Sequence, residues 1–418
     1  MEEFKTYKIS ELLREISMGP FGSNIKVENF IEDGVPVLNG ANLQGFKLKE
    51  YSFNYVSEEK ADSLGKANAY RGDIVITHRG TLGQIIYIPI DSKYNRYVIS
   101  QSQFRLTLNT NIVRPDYFVY YFHTRIGQHK IMVNASQVGV PALARPTSTF
   151  RDVTIDLPPL ETQNKIMDIL LSIDSKIELN RRINENLEQQ AQALFKSWFV
   201  DFEPFKDGKF VDSELGRIPE GWRINLVKDI AIFTQGTQVP VSMQYNTQKE
   251  NMIRFIRIVD YTSNNTELPR FIYKTNKQTE CDESDVIMVR YGNIGTIGRR
   301  LTGVIANNLF KISPSNILTK NFLYYFFKQK EIQELIVASA AGSAMPAIKH
   351  STIGNINIIV PPKGVVNMFD LICNSYEAQI LKNNQENSYL KEVRDTLLPK
   401  LMSGELAITD VDDRSIFQ

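Results

Sequence analysis

Cysteine and histidine are scarce in this chain, with two and four among 418 residues. Cys281 and Cys373 fall on different expected elements, which argues against a disulfide framework and for a reducing cytoplasm. His78, His123, His129 and His350 are scattered, and the six-residue gap between His123 and His129 puts them on opposite faces of a helix. None has the spacing of a metal site with a Cys or carboxylate. No apolar run approaches the roughly eighteen residues of a membrane span, and Met1-Glu2-Glu3-Phe4-Lys5 lacks a basic-then-apolar leader pattern. Excess charge is missing too: 48 basic against 47 acidic residues leave +1, so a nucleic-acid partner needs a basic face set against acidic surface elsewhere. Catalytic motifs are absent in the same way. There is no Ser-His-Asp or nucleophilic Cys arrangement. Gly292, Gly295 and Gly298 have neither dinucleotide nor Walker spacing, and with Gly80 and Gly83 they suit a strand–turn–strand. The Pro-Pro pairs at 158–159 and 361–362 lack the preceding Asn or Asp and the following aromatic of an amino-methyltransferase site. The expectation is a non-catalytic chain with no metal and no cofactor of its own.

What the chain has instead is a repeat. A stretch from Pro158 to about Val200 returns as Pro361 to Ser403, each opening on a Pro-Pro pair. Ile166, Ile169/Leu170, Ile173, Ile177, Asn180, Asn184, Leu187, Ala191, Leu194 and Trp198 recur at alternating steps of three and four, the seam of a coiled coil. Adding 203 gives Phe369, Ile372/Cys373, Tyr376, Ile380, Asn383, Asn387, Leu390, Arg394, Leu397 and Leu401, so even the polar interruptions coincide. Long helices are expected at 158–200 and 361–404, with a tail at 405–418. Asparagine in a coiled-coil core costs stability and can set register. In an antiparallel pair with Glu161 facing about residue 403, Asn180 comes opposite about residue 384 and Asn184 opposite about residue 380. Asn180, Asn184, Asn383 and Asn387 would then meet on a pseudo-twofold axis. At ~1.5 Å per residue such helices span ~60 Å, roughly 17 base pairs at ~3.4 Å each.

The flanking segments repeat as well. Residues 1–157 read as a mixed α/β domain with strands at Val35–Leu38, Asp73–Thr77, Gln84–Ile88, Gln103–Leu108 and Val153–Leu157. One helix is expected from Asp116 to about Gly127, after Pro115. Residues 201–220, polar and acidic with Pro204, Gly208, Gly216 and Pro219, have the composition of a linker. Residues 221–360 then restate the first domain: Asp285–Gly295 lies over Asp73–Gly83 at a shift of 212, Phe322–Phe326 over Phe118–Phe122 at 204, Met345–Ile348 over Val140–Leu143 at 205 and Ile358–Pro362 over Ile155–Pro159 at 203. The drop in shift places an insertion in the first copy at about residues 89–113. The expected fold class is α+β: two similar mixed α/β globular domains, each followed by a long helix, with the helices packed as an antiparallel coiled coil of pseudo-twofold symmetry. Matching scaffolds with unlike connections suit two domains doing similar work on different targets.

The binding material sits in the repeated loops. His78, Arg79 and Thr81 beside Gly80, and Arg290, Tyr291 and Asn293 beside Gly292, fall at strand ends where Arg can fork onto guanine, Asn onto adenine, and Tyr or Thr onto phosphate. Ser23, Asn24 and Lys26 after Gly19 form a polar loop matched by Gln235 and Thr237 around Gly236. Lys93 and Arg96 in the first insert and Arg299 in the second copy complete the candidates for DNA contact. Each residue alone also suits a solvated turn; their duplication favours binding.

Asp156-Leu157-Pro158-Pro159-Leu160-Glu161-Thr162-Gln163-Asn164-Lys165-Ile166, Leu215-Gly216-Arg217-Ile218-Pro219-Glu220-Gly221-Trp222, Gly72-Asp73-Ile74-Val75, Leu398-Pro399-Lys400-Leu401-Met402-Ser403-Gly404-Glu405-Leu406 and the duplication itself together resemble the specificity subunit of type I restriction-modification enzymes. The second junction departs from the pattern, with Pro361-Pro362-Lys363-Gly364 and no Gln. The resemblance implies two target-recognition domains, at 1–157 and 221–360, each reading half of a bipartite, asymmetric site on double-stranded DNA. It implies assembly with two copies of an adenine-N6 methyltransferase subunit and, for cleavage, an ATP-dependent translocating restriction subunit. S-adenosylmethionine, ATP and Mg would belong to those partners. A methyltransferase-only system fits equally. From a different class, a coiled-coil adaptor with protein-binding domains remains an alternative, while a self-sufficient methyltransferase or nuclease is disfavoured by the missing motifs.

Overall fold

The computed structural model describes residues 4–133, 135–136, 140–263, 267–274, 277–340 and 347–407. The chain divides into two units, residues 1–178 with 386–418, and residues 179–385, so each unit joins one globular domain to a length of both long helices.

In the first unit Leu13–Met18, Gln103–Leu108, Ile74–Thr77 and Ile85–Tyr87 form an antiparallel sheet in that order. A second sheet runs Asn54–Val56, Val35–Val37, Arg96–Val98, Asn68–Tyr70, with a parallel central pair. A ribbon of Lys5–Lys8 with Thr154–Leu157 joins the two ends of the domain. The second unit has the same topology. Ala231–Gln235, Leu309–Pro314, Val286–Val289 and Ile297–Gly298 form its first sheet. Arg270–Tyr273, Met252–Ile256, Gly303–Ile305 and Glu280–Cys281 form its second, again with a parallel central pair. Arg223–Leu226 pairs with Asn357–Val360 in its ribbon. The sequence repeat is therefore a repeat of strand order and direction.

Period-two patterning explains the layering. Ile74 and Ile76 face a core shared with the aromatic helix Pro115–His123, while Val75 faces a second core with Ile86 and Ile88. In the other copy Val286 and Met288 take one core and Ile287 and Val289 the other. Between the equivalent strands, residues 88–95 of the first copy stand against 299–302 of the second, which accounts for part of the expected insertion.

Outside the long helices, two sequence expectations change. The helix expected over Asp116–Gly127 is two helices, Pro115–His123 and Arg125–Met132, broken at Thr124. Thr124 is extended, and its hydroxyl accepts from the Gly127 amide at 3.1 Å, an N-cap that starts the second helix in a new direction. The linker-like stretch before the second domain is ordered. Phe210–Ser213 and Gly216–Pro219 form a hairpin, and Phe202 and Phe205 pack on Trp222 with ring centroids 5.4 and 5.1 Å away.

The long helices are Leu160–Phe199 and Lys363–Ser403. In the first unit Ile169, Ile173 and Leu390 form a seam flanked by Ile177, Val393 and Leu397, and Arg394 reaches Asp174 at 2.7 Å. In the second unit Ala191, Phe195 and Phe199 meet Val366, Phe369 and Cys373. Pairing is antiparallel in each unit, but the register is not end to end. Asn184 bonds Asn384 at 2.9 Å and Asn383 at 2.8 Å, not a residue near 380. The stagger is four residues, about one helical turn. Asn180 and Asn383 are buried at 1% and 3% exposure, whereas Asn387 is half-buried and belongs to the other unit. The junctions also differ. Gln163, fully buried, donates to Ile112 O and Pro158 O, both at 3.0 Å, and accepts from the Arg114 amide. Its counterpart at the shift of 203 is Val366, fully buried in the second core, so the second junction is held by apolar packing instead.

Candidate functional site

Three segments converge at one edge of the first domain. The backbone leaves Leu13–Met18 through Gly19, whose amide donates to Gln103 O at 2.8 Å. A Cβ on Gly19 would lie 2.0 Å from Ser100 O, so only glycine permits this approach. The turn after Ile74–Thr77 lies against the same segment, with the His78 amide donating to Ser102 O at 2.9 Å and its Nε2 3.1 Å from Gln101 O. Gly80 and Gly83 take φ of 87° and 82°, and Gln128 clamps the turn to the helix by donating to Gly83 O at 2.9 Å.

The second domain builds the same edge. Gly236 abuts Ala306 O, with a Cβ falling 2.2 Å away. Its neighbour Thr237 donates from its amide to Ile305 O at 2.9 Å, and Gln235 Nε2 donates to Asn307 O at 3.1 Å. The Arg290 amide donates to Asn308 O at 2.9 Å, Gly292 and Gly295 have φ of 72° and 81°, and Gln333 donates to Gly295 O at 2.9 Å. A further bridge braces each turn: Arg79 pairs with Ala142, and Tyr291 with Ala347. Met345 and Pro346 lie outside the described residues.

The expected contact residues sort against this edge. Asn24, Lys26, Arg79, Thr81, Gln235 and Asn293 are exposed on it. Lys26 has Glu28 at 3.4 Å. Arg79 makes no side-chain hydrogen bond among the described residues. The Ser23 side chain lies outside the described residues. His78 is half-buried, and burial pushes its imidazole below the usual range in spite of the Gln101 carbonyl. Arg290 is tied down: its Nε donates to Ile348 O at 3.1 Å and its guanidinium lies 4.9 Å from the Tyr291 ring centroid and 5.3 Å from that of Phe310. Thr237 is half-buried.

Two of the remaining candidates, Arg96 and Arg299, are engaged within the protein, while the Lys93 side chain is exposed. Arg96 opens the strand whose far end leads to the edge, and Glu58 and Asp62 neutralise it. The Lys93 amide donates to Glu50 at 2.8 Å and its ammonium sits 5.1 Å from the Tyr94 ring centroid. Arg299 is the clear correction. Its side chain is 2% exposed, stacks 3.7 Å from the Tyr324 ring centroid, and donates to Asn321 at 2.8 Å, to Tyr325 and to Glu377 on the C-terminal helix. Arg300 binds Glu188 and Glu377, and Lys328 reaches Glu188 at 2.8 Å. Burial alone would raise the Glu188 carboxyl, but Arg300, Lys328 and Arg299 outweigh it and hold it down to about 2. This lock ties the second domain to both helices. Its first-unit equivalent is Asp174, at the shift of 203 from Glu377, which takes Arg394 and the Tyr120 hydroxyl.

Sequence reasoning missed Gln101 and Asn307, whose carbonyls lie against His78 and Gln235, and His350 beside Arg290. His350 stacks on Phe233 with centroids 5.6 Å apart and lies tilted against Phe310 at 4.2 Å, and burial and Arg290 push it below the usual range. The edge can offer amide, hydroxyl and guanidinium donors to a polyanion or to base edges.

A family model described as the type I restriction modification DNA specificity domain matches residues 1–189 and 219–387. The MjaIX specificity subunit of a type I restriction enzyme from Methanocaldococcus jannaschii is 29% identical over 384 residues, covering 87% of this chain and 86% of that one. The HindI specificity subunit from Haemophilus influenzae is 25% identical, covering 97% and 100%. In fold, the crystal structure of a type I restriction-modification S subunit from M. genitalium superposes with a TM-score of 0.54 at 16% identity, over 96% of each chain.

Proposed function

The chain belongs to the type I restriction modification DNA specificity family, and from that membership we propose how its two domains divide the work. Each reads one half of a bipartite, asymmetric site on double-stranded DNA through its loop edge, and the paired helices set the unread spacer. The observation that carries this reading is the duplicated edge. Two domains of one topology present equivalent glycine-backed turns with unlike side chains, Arg79 and Thr81 in one and Tyr291 and Asn293 in the other.

The chain itself is non-catalytic. The same reading gives it two adenine-N6 methyltransferase subunits and, for cleavage, a restriction subunit as partners, with S-adenosylmethionine, ATP and Mg acting there and the assembly working in the cytoplasm. The four asparagines hold the helices in register, and Ser23, Asn24, Lys26, Arg79, Thr81, Gln235 and Asn293 supply contacts to phosphate or bases. The test is binding of the chain with its methyltransferase partner to a bipartite duplex and to a scrambled one across a salt series. Tight binding to the first with a steep salt slope fits the DNA reader. Equal, weak binding to both would favour a protein adaptor.

A further inference from the structure

Phe21 stands 83% exposed at the tip of the loop that leaves Leu13–Met18. The backbone around it is held. Pro20 is buried and has a fixed φ. Phe21 itself is extended at φ −61° and ψ 147°, and its carbonyl accepts from the Asn24 amide at 2.8 Å. On either side Gly19 is seated on Ser100 O, and a Cβ on Gly22 would lie 2.1 Å from Gln101 Oε1. A held backbone thus presents an aromatic ring to solvent, next to Asn24 and on a loop seated on Gln101, the residue whose carbonyl lies 3.1 Å from His78 Nε2. In the second domain the loop that leaves Ala231–Gln235 also carries exposed apolar residues, Val241 and Met243 at 79% and 59%, in the short turn after Pro240. An apolar tip of one or two residues is too small for a protein interface of its own. It does suit a stack of flat apolar faces edged by phosphates.

We infer that Phe21 is a wedge that enters between adjacent bases of the half-site read by the first domain, with Val241 its smaller counterpart in the second. This rests on the DNA-reading function proposed above. A wedge partly unstacks one base step, so the site is selected by how easily that step deforms as well as by contacts to base edges.

The test uses the full chain assembled with its methyltransferase partner, and a duplex carrying its methylated motif with 2-aminopurine placed in turn along the first half-site. Wild type should raise the emission at one step. Phe21→Ala should abolish that rise and weaken binding ~10-fold, the scale of one lost aromatic–base stack, while Phe21→Trp should retain affinity. Because the ring is exposed, melting temperatures should match wild type. Unchanged affinity and emission in Phe21→Ala would overturn the wedge and leave the DNA reader standing. Loss of methyltransferase assembly with an intact DNA response would also overturn it, assigning the ring to a protein contact. A wild-type assembly that bound no duplex would sink the DNA reading itself, and the wedge with it.

Discussion

Replacing Glu188 with Gln removes the carboxylate at the centre of the lock in the second unit. Glu188 receives Lys328 at 2.8 Å and Arg300, while Glu377 keeps Arg299 and Arg300. The magnitude can be worked two ways. A carboxyl at about 2 in the folded chain instead of its usual 4.5 contributes ~3 kcal/mol at neutral pH. Stripping one partner from a buried ion network costs ~3–5 kcal/mol, less here because Arg300 keeps Glu377 and Lys328 keeps the Tyr324 hydroxyl at 3.3 Å. Both routes give ~3 kcal/mol. The sign with pH follows from the lowered folded value: the contribution is complete above pH 4.5 and is lost as pH falls through about 2. Of the ~3 kcal/mol, about 2 should be gone by pH 3. Urea unfolding of wild type and Glu188→Gln, followed by fluorescence from pH 7 to pH 3, tests it. The gap between the two proteins should narrow by about 2 kcal/mol across that range. A gap below ~1 kcal/mol at pH 7, or one independent of pH, would refute the lock as a stabilising network.

Other outcomes separate contact from scaffold. Arg79→Ala should leave stability within ~0.5 kcal/mol and lower the salt slope of DNA binding by ~1, whereas Arg299→Ala should cost ~3 kcal/mol in urea unfolding without altering which sequence is methylated. Replacing both Asn184 and Asn383 with Leu removes the amide pair that bridges the helices and should broaden the spacer length in the methylated motif as helix register is relaxed.

The duplication was legible because it lay in the hydrophobic pattern. A shift of 203 carried both helix seams, and the Asp73–Gly83 match at 212 carried the strand–turn–strand of each edge. The register was not legible. Aligning the helix ends ignored the anchors that set the stagger, Asp174 with Arg394 in one unit and Glu377 with Arg299 and Arg300 in the other. Those acids were a usable signal, since Asp174 and Glu377 hold the same repeat position beside an otherwise apolar seam. Arg299 was misread for a related reason. An Arg-Arg pair after a strand looks like a loop contact until its acidic partners, 77 and more residues away, are placed beside it. Phe21 was passed over because exposure cannot be read from an aromatic in a Gly-Pro-Phe-Gly turn. The Thr124 break was hidden by helix-favouring neighbours on both sides.

The central claim is that each domain reads its own half of one DNA site. Exchanging residues 221–360 for those of a relative, in cells that carry the methyltransferase partner, and sequencing the genomic DNA for modified adenines tests it directly. One half of the methylated motif should change while the other half and the spacer persist. A change in both halves, or in neither, would contradict the account.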